Sequence, residues 1–147
     1  MITMQWTALS PNARVPEQSH PGHDAGWDLY AADDVYLMSW EKPMRIPTGI
    51  ALQLPAGYCA WVMGRSGLTS QGYLVHLGLI DPSYRGEIQV MMTIAHETWE
   101  ASHGPQILRG QRIAQLVIQP IVPVQWERVA ALTPTERGTA GFGSTGA

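Results

Sequence analysis

A chain of 147 residues with 45% apolar and 14% charged residues is expected to fold as one soluble domain with a real core, and it carries no apolar run long enough for a transmembrane helix. A net charge of −3 argues against a non-specific nucleic-acid binder, and a polyphosphate ligand would have to be held by a few placed donors, helped by a divalent cation. Cys59 is the single cysteine, so an intrachain disulfide is excluded; with a start that lacks the basic residues and apolar run of a secretory signal, a cytoplasmic location is expected, or the host cytoplasm for a viral chain.

Residues 1 to 9 alternate, with Ile2, Met4, Trp6 and Ala8 on one face, which predicts a strand. A polar loop with Pro, Gly and His follows over residues 10 to 26. Beyond it, short apolar runs recur at Val35 to Met38, Ile50 to Leu54, Tyr58 to Met63, Tyr73 to Ile80, Ile88 to Ile94 and Ile113 to Val124. Prolines at 43, 47, 55, 82, 105, 120 and 123 punctuate them, which disfavours long helices, while Val, Ile, Trp and Tyr favour strands. One short helix is predicted within Gly64 to Gln71. Many short strands between turn-formers predict an all-β sandwich, jelly roll or barrel. The apolar pattern stops near Ala131, which divides the chain into a β domain over 1–130 and a glycine-rich arm over 131–147.

Five segments carry more polar and glycine residues than strands need. In Ala25-Gly26-Trp27-Asp28-Leu29-Tyr30-Ala31, the Asp28 carboxylate is costly to bury unless paired; alone, a turn-capping Asp is the simpler reading. Gly64-Arg65-Ser66-Gly67 would point N–H groups, a hydroxyl and a guanidinium one way, an anion-binding composition that loops also share. In Gly78-Leu79-Ile80-Asp81-Pro82-Ser83-Tyr84-Arg85-Gly86, Pro82 forces a turn that presents Asp81 at a strand end, with Tyr84 close by as a flat wall. Arg109-Gly110-Gln111-Arg112-Ile113-Ala114-Gln115 sets two amides and two arginines at a strand entry. The tail Arg137-Gly138-Thr139-Ala140-Gly141-Phe142-Gly143-Ser144-Thr145-Gly146 has little to bury, yet offers backbone donors, hydroxyls, a guanidinium and a stacking ring.

In this order and spacing the five segments resemble the homotrimeric dUTPase family, over residues 25 to 146. The resemblance implies a jelly-roll or β-clip fold, a homotrimer with shared active sites, and no direct nucleic-acid or membrane partner. It implies Mg²⁺-assisted hydrolysis of dUTP to dUMP and pyrophosphate by water attack on the α-phosphorus, which limits uracil incorporation into DNA and supplies dUMP for dTMP synthesis. Asp81 is then the residue that activates the water, Arg65, Ser66 and Gly67 grip the phosphates, and Gln115 hydrogen-bonds them. Asp28 supports this network without ligating metal. A hairpin around Tyr73 to Ile80 would form the uracil pocket, with backbone contacts from Leu79, Ile80 and Gln89 and with Tyr84 against the deoxyribose. Phe142 would stack on uracil while Arg137, Gly143 and Ser144 close over the phosphates.

The resemblance has departures. Gly64 stands where a proline is usual, Ala140 replaces a common glycine, and the hairpin before Asp81 is short, with His76 the nearest polar candidate for the base. His76 is read first as a structural hydrogen-bonder, and His20, His23 and Asp24 as a solvated loop. The enzyme rival, dCTP deaminase, needs a glutamate where Gln89-Val90-Met91-Met92 stands. A dUTPase-like regulatory binder is the non-enzymatic alternative.

Overall fold

The protein is described from a computed structural model, over residues 2–36, 42–95 and 107–141. These residues form β1 (Gln5–Ala8), β2 (Gly26–Tyr30), β3 (Met44–Gln53), β4 (Tyr58–Met63), α1 (Ser66–Thr69), β5 (Tyr73–Val75), β6 (Gly78–Ile80), β7 (Glu87–Ile94) and β8 (Arg112–Pro120). The strands make two four-stranded antiparallel sheets, in the orders β1-β3-β7-β5 and β2-β8-β4-β6. This is the all-β architecture with a short helix that the sequence predicts.

The sheets meet over the residues that strand alternation turns inward. In β7, Ile88, Val90, Met92 and Ile94 are buried while Gln89 and Met91 face out. Leu29, Ile46, Ile50, Val62, Ile113 and Leu116 join them in the core, and Leu68 ties α1 to it. The turn of α1 is closed by Leu68 and Thr69, whose amides donate to the Arg65 carbonyl.

Four of the apolar runs fold differently from a plain reading. β3 begins at Met44 and carries Pro47 inside the ladder, which is possible because the register with β7 shifts between Pro47 and Ala51. Gly49, at φ +68, turns through that bulge, and its amide donates to Glu87 Oε1 at 2.9 Å.

The run from Tyr73 to Ile80 is not a hairpin. β5 pairs with β7 in the first sheet and β6 with β4 in the second, so each satisfies its backbone on a different partner. His76 and Leu77 carry the chain across, with the His76 amide donating to the Met91 carbonyl at 2.8 Å.

Of the run Val35 to Met38, Val35 bridges to Ile107 while Leu37 and Met38 lie outside the described residues, and β8 stops at Pro120. From Gln119 to Ala140 every residue is exposed, with Trp126 at 92%.

Candidate active site

β8 gathers the first, second and fourth segments because it lies between β2 and β4. Its Gln115 stands opposite Asp28 of β2 on one side and Met63 of β4 on the other, just before Gly64 and Arg65. An open polar cleft of about 340 Å³ results, lined by Ser19, Gly26, Asp28, Arg65, Ser66, Gly67 and Gln115, with His20 and Asp24 at its rim.

Asp28 is buried, and both its oxygens are used. Oδ1 lies 2.8 Å from Arg65 Nε, and Oδ2 lies 3.1 Å from Arg112 Nη1. A buried carboxylate between two guanidiniums has its charge compensated, so it serves as an anchor for Arg65 and not as a capping group. Ser19 bridges the same corner, accepting from Arg112 Nη1 at 3.0 Å. Gln115 Nε2 donates to the Gly64 carbonyl at 2.9 Å, which pins the turn that presents Arg65 and Ser66.

Two glycines border the cleft, and space explains the first. A Cβ on Gly26 would stand 2.5 Å from Gln115 Oε1, so glycine there makes room for the amide. At Gly67 nothing lies within 4 Å of the Cβ position, and its φ is not left-handed. Neither contact nor backbone conformation requires that glycine, and its open flank suits close approach by a ligand.

Asp81 lies elsewhere. A second crevice of about 190 Å³ holds Leu79, Ile80, Asp81, Tyr84, Glu87, Gln89 and Met91. The Tyr84 amide donates to the Asp81 carbonyl at 3.1 Å, closing the turn that Pro82 imposes. The Tyr84 hydroxyl donates to the Glu87 carbonyl at 3.1 Å, and Gln89 Nε2 donates to Glu87 Oε2 at 3.0 Å.

The two crevices share no residue, and the strand register explains why. Ile80 faces Ala60, after which β6 runs towards Asp81 while β4 runs the other way towards Arg65. Asp81 and Arg65 are therefore about 15–20 Å apart along the strand direction, and the Arg65 guanidinium is turned to Asp28 in the other cleft.

Of the remaining predicted residues, Arg137 lies in the exposed tail, its Nε donating to the Ala140 carbonyl at 3.0 Å. Phe142, Gly143 and Ser144 lie outside the described residues. His76 pairs with Thr93 Oγ1 at 3.2 Å and does not line the Asp81 crevice. In the polar loop, His20 uses its amide and Nδ1 on Asp24 Oδ2, at 2.8 and 3.4 Å, and this holds the Asp24 carboxyl below its usual range.

Sequence reasoning assigns no role to Arg112, Ser19 or Glu87. Strict alternation sets Arg112 and Gln115 on opposite faces of β8; the shifted register between Leu29 and Tyr30, opposite Arg112, is not visible in that pattern.

A sequence model of the dUTPase family matches residues 12–146, almost the whole chain. The chain belongs to the dUTPase family. The deoxyuridine 5'-triphosphate nucleotidohydrolase of Gloeobacter violaceus is 48% identical over 139 residues, covering 90% of this chain and 88% of that protein. The enzyme of the same name from Thermobifida fusca is 41% identical over 148 residues, covering 99% and 79%.

Among solved dUTPases, a variant of the Staphylococcus bacteriophage 80alpha enzyme with dUpNHpp superposes with a TM-score of 0.83 at 28% identity, over 100% of both chains. A variant from phage phi11 of S. aureus, described for its coordination of a structural Mg(II) ion, gives 0.73 at 27% identity, over 88% of this chain and 98% of that one. The dUTPase fold thus extends over the strands that build both crevices. No helix among the described residues is long and apolar enough to cross a membrane.

Proposed function

We propose that this dUTPase-family chain hydrolyses dUTP to dUMP and pyrophosphate. The observation that carries the reading is the cleft in which Asp28, Arg65, Ser66, Gly67 and Gln115, drawn from three distant segments, face one space. Arg65, held by Asp28, and Ser66 contact the phosphate chain, Ser66 near the oxygen bridging to the leaving group; Gln115 adds an amide, and Gly67 lets the backbone come close. Asp81 orients a water and takes its proton as the water oxygen bonds to the α-phosphorus. The bond from that phosphorus to the bridging oxygen breaks, and pyrophosphate leaves with the electron pair. Positioning and charge stabilisation do most of the work in such transfers.

Tyr84 lies against the deoxyribose, and Leu79, Ile80 and Gln89 contribute to the uracil end. The arm over 131–147 closes on the β domain over 1–130, with Arg137 and Ser144 on phosphates, Gly143 giving backbone approach and Phe142 on the base.

The cation suited to this substrate is Mg²⁺, which neutralises phosphate charge. Among the described residues no three or more His, Cys, Asp or Glu side chains gather as a cage, and Asp28 is committed to two arginines. That donor set fits an ion carried by the triphosphate and its waters.

The separation of Asp81 from Arg65 supports a homotrimer in which each site takes these residues from different copies. The exposed apolar segment with Ile121, Val122, Val124 and Trp126 supports the same assembly, since it offers a strand-like strip for a neighbouring copy.

The test is pyrophosphate release with Mg²⁺ and dUTP, dTTP, dCTP or UTP. Release is expected with dUTP, with only trace turnover of the other three, and Asp81→Asn should lower kcat by about two orders of magnitude. Ammonia from dCTP, or tight dUTP binding without turnover, would overturn the proposal.

A further inference from the structure

Gly86 lies beyond the residues given a role above. Its φ is outside the left-handed region, so its backbone accepts any L-residue. Space is another matter. A Cβ built on Gly86 would stand 2.3 Å from Tyr84 Oη, 2.6 Å from Cζ and 3.0 Å from Cε2. The edge of the Tyr84 ring therefore lies directly on the face where a side chain would project. From that seat its hydroxyl donates to the Glu87 carbonyl at 3.1 Å. The seat is firm on its other side as well: the Glu87 carboxylate is held by the Gly49 amide at 2.9 Å and by Gln89 Nε2 at 3.0 Å.

We infer that Gly86 is a specificity-determining residue, acting through Tyr84. Its missing side chain leaves the ring the seat from which its hydroxyl reaches the Glu87 carbonyl, and so fixes the wall beside the sugar. Any β-carbon at 86 unseats the ring, breaks the bond to the Glu87 carbonyl and leaves a wall that yields to a 2′-hydroxyl. The inference rests on the proposed position of Tyr84 against the deoxyribose, so the test separates the two.

Four proteins are compared with dUTP and UTP: wild type, Gly86→Ala, Tyr84→Ala and the double variant. The readout is the ratio of kcat/KM for dUTP to that for UTP. A purely structural defect lowers both values together and leaves the ratio alone. Gly86→Ala should reduce the ratio about tenfold, the scale on which one small group is discriminated. Tyr84→Ala should reduce it at least as much, and adding Gly86→Ala to Tyr84→Ala should change it no further, because the group it displaces is gone.

A ratio unmoved by Tyr84→Ala would overturn the sugar-wall reading, and this inference with it. A ratio moved by Tyr84→Ala but not by Gly86→Ala would overturn the inference alone. Should Gly86→Ala fail to fold, the double variant decides: recovery of folding places the clash on Tyr84, and continued failure refutes it.

Discussion

At the scale of single residues, Asp28 shows why a buried carboxylate in a strand can be informative. Its side chain is 12% exposed, and Arg65 and Arg112 converge on it. Asp28→Ala leaves two guanidiniums facing each other without a counter-charge. It should cost about 2 kcal/mol in urea unfolding, less than for a fully buried pair because Arg112 is half exposed. It should also raise KM for dUTP more than it lowers kcat, since the loss falls on the proposed grip on the phosphates. Gly26 makes a narrower prediction. Gly26→Ala drives a methyl into the Gln115 amide and off the Gly64 carbonyl, so KM should rise about tenfold, the worth of one hydrogen bond to a charged group, with little change in melting temperature. An unchanged KM would remove Gln115 from the site.

At the scale of elements, legibility in the sequence followed how regular each strand is. Tyr58 to Met63 was readable to the residue as β4 because it is an unbroken apolar run between turn-formers, and Ile88 to Ile94 was nearly so as β7, whose burial alternates. β2 is obscured because Asp28 interrupts its apolar pattern, and the start of β3 is obscured because Pro47 reads as a stop unless a bulge is foreseen. Tyr73 to Ile80 reads as one apolar run, since period-two patterning marks faces and says nothing of a change of sheet. Residue types at the site were readable from motif spacing, whereas their division between two crevices depends on register, which only pairing reveals.

Burial in these elements also sets a pH dependence. Desolvation raises the Tyr73 phenol above its ordinary value of 10.0, and desolvation followed by Glu17 raises Tyr30 in the same direction. The folded state keeps both protons where the unfolded chain loses its own, so the stabilisation is complete below pH 10 and is lost as pH rises through the higher folded values. Melting temperature should decline above about pH 10, and Tyr73→Phe should decline less steeply over the same range.

For the whole molecule, the distance between Asp81 and Arg65 becomes a mixing experiment. Asp81→Asn and Arg65→Ala should each keep about one hundredth of the activity or less alone. Unfolded together and refolded at random, they should regain about a quarter of wild-type activity if the proposed trimer forms, because each residue of a site then comes independently from an intact copy. No recovery would mean that one copy supplies both. Removing residues 137 to 147 should abolish turnover while leaving the melting temperature unchanged, as the described part of that stretch touches little of the core.

The passage of the chain through His76 and Leu77 has one more effect. Gln89 belongs to one sheet and Leu79, Ile80 and Asp81 to or beside the other, yet all border the same crevice. A nucleotide lodged there would act as a clasp across the sandwich, and amide deuterium uptake along β5 and β6 should slow in its presence while β1, at the far margin, keeps its rate.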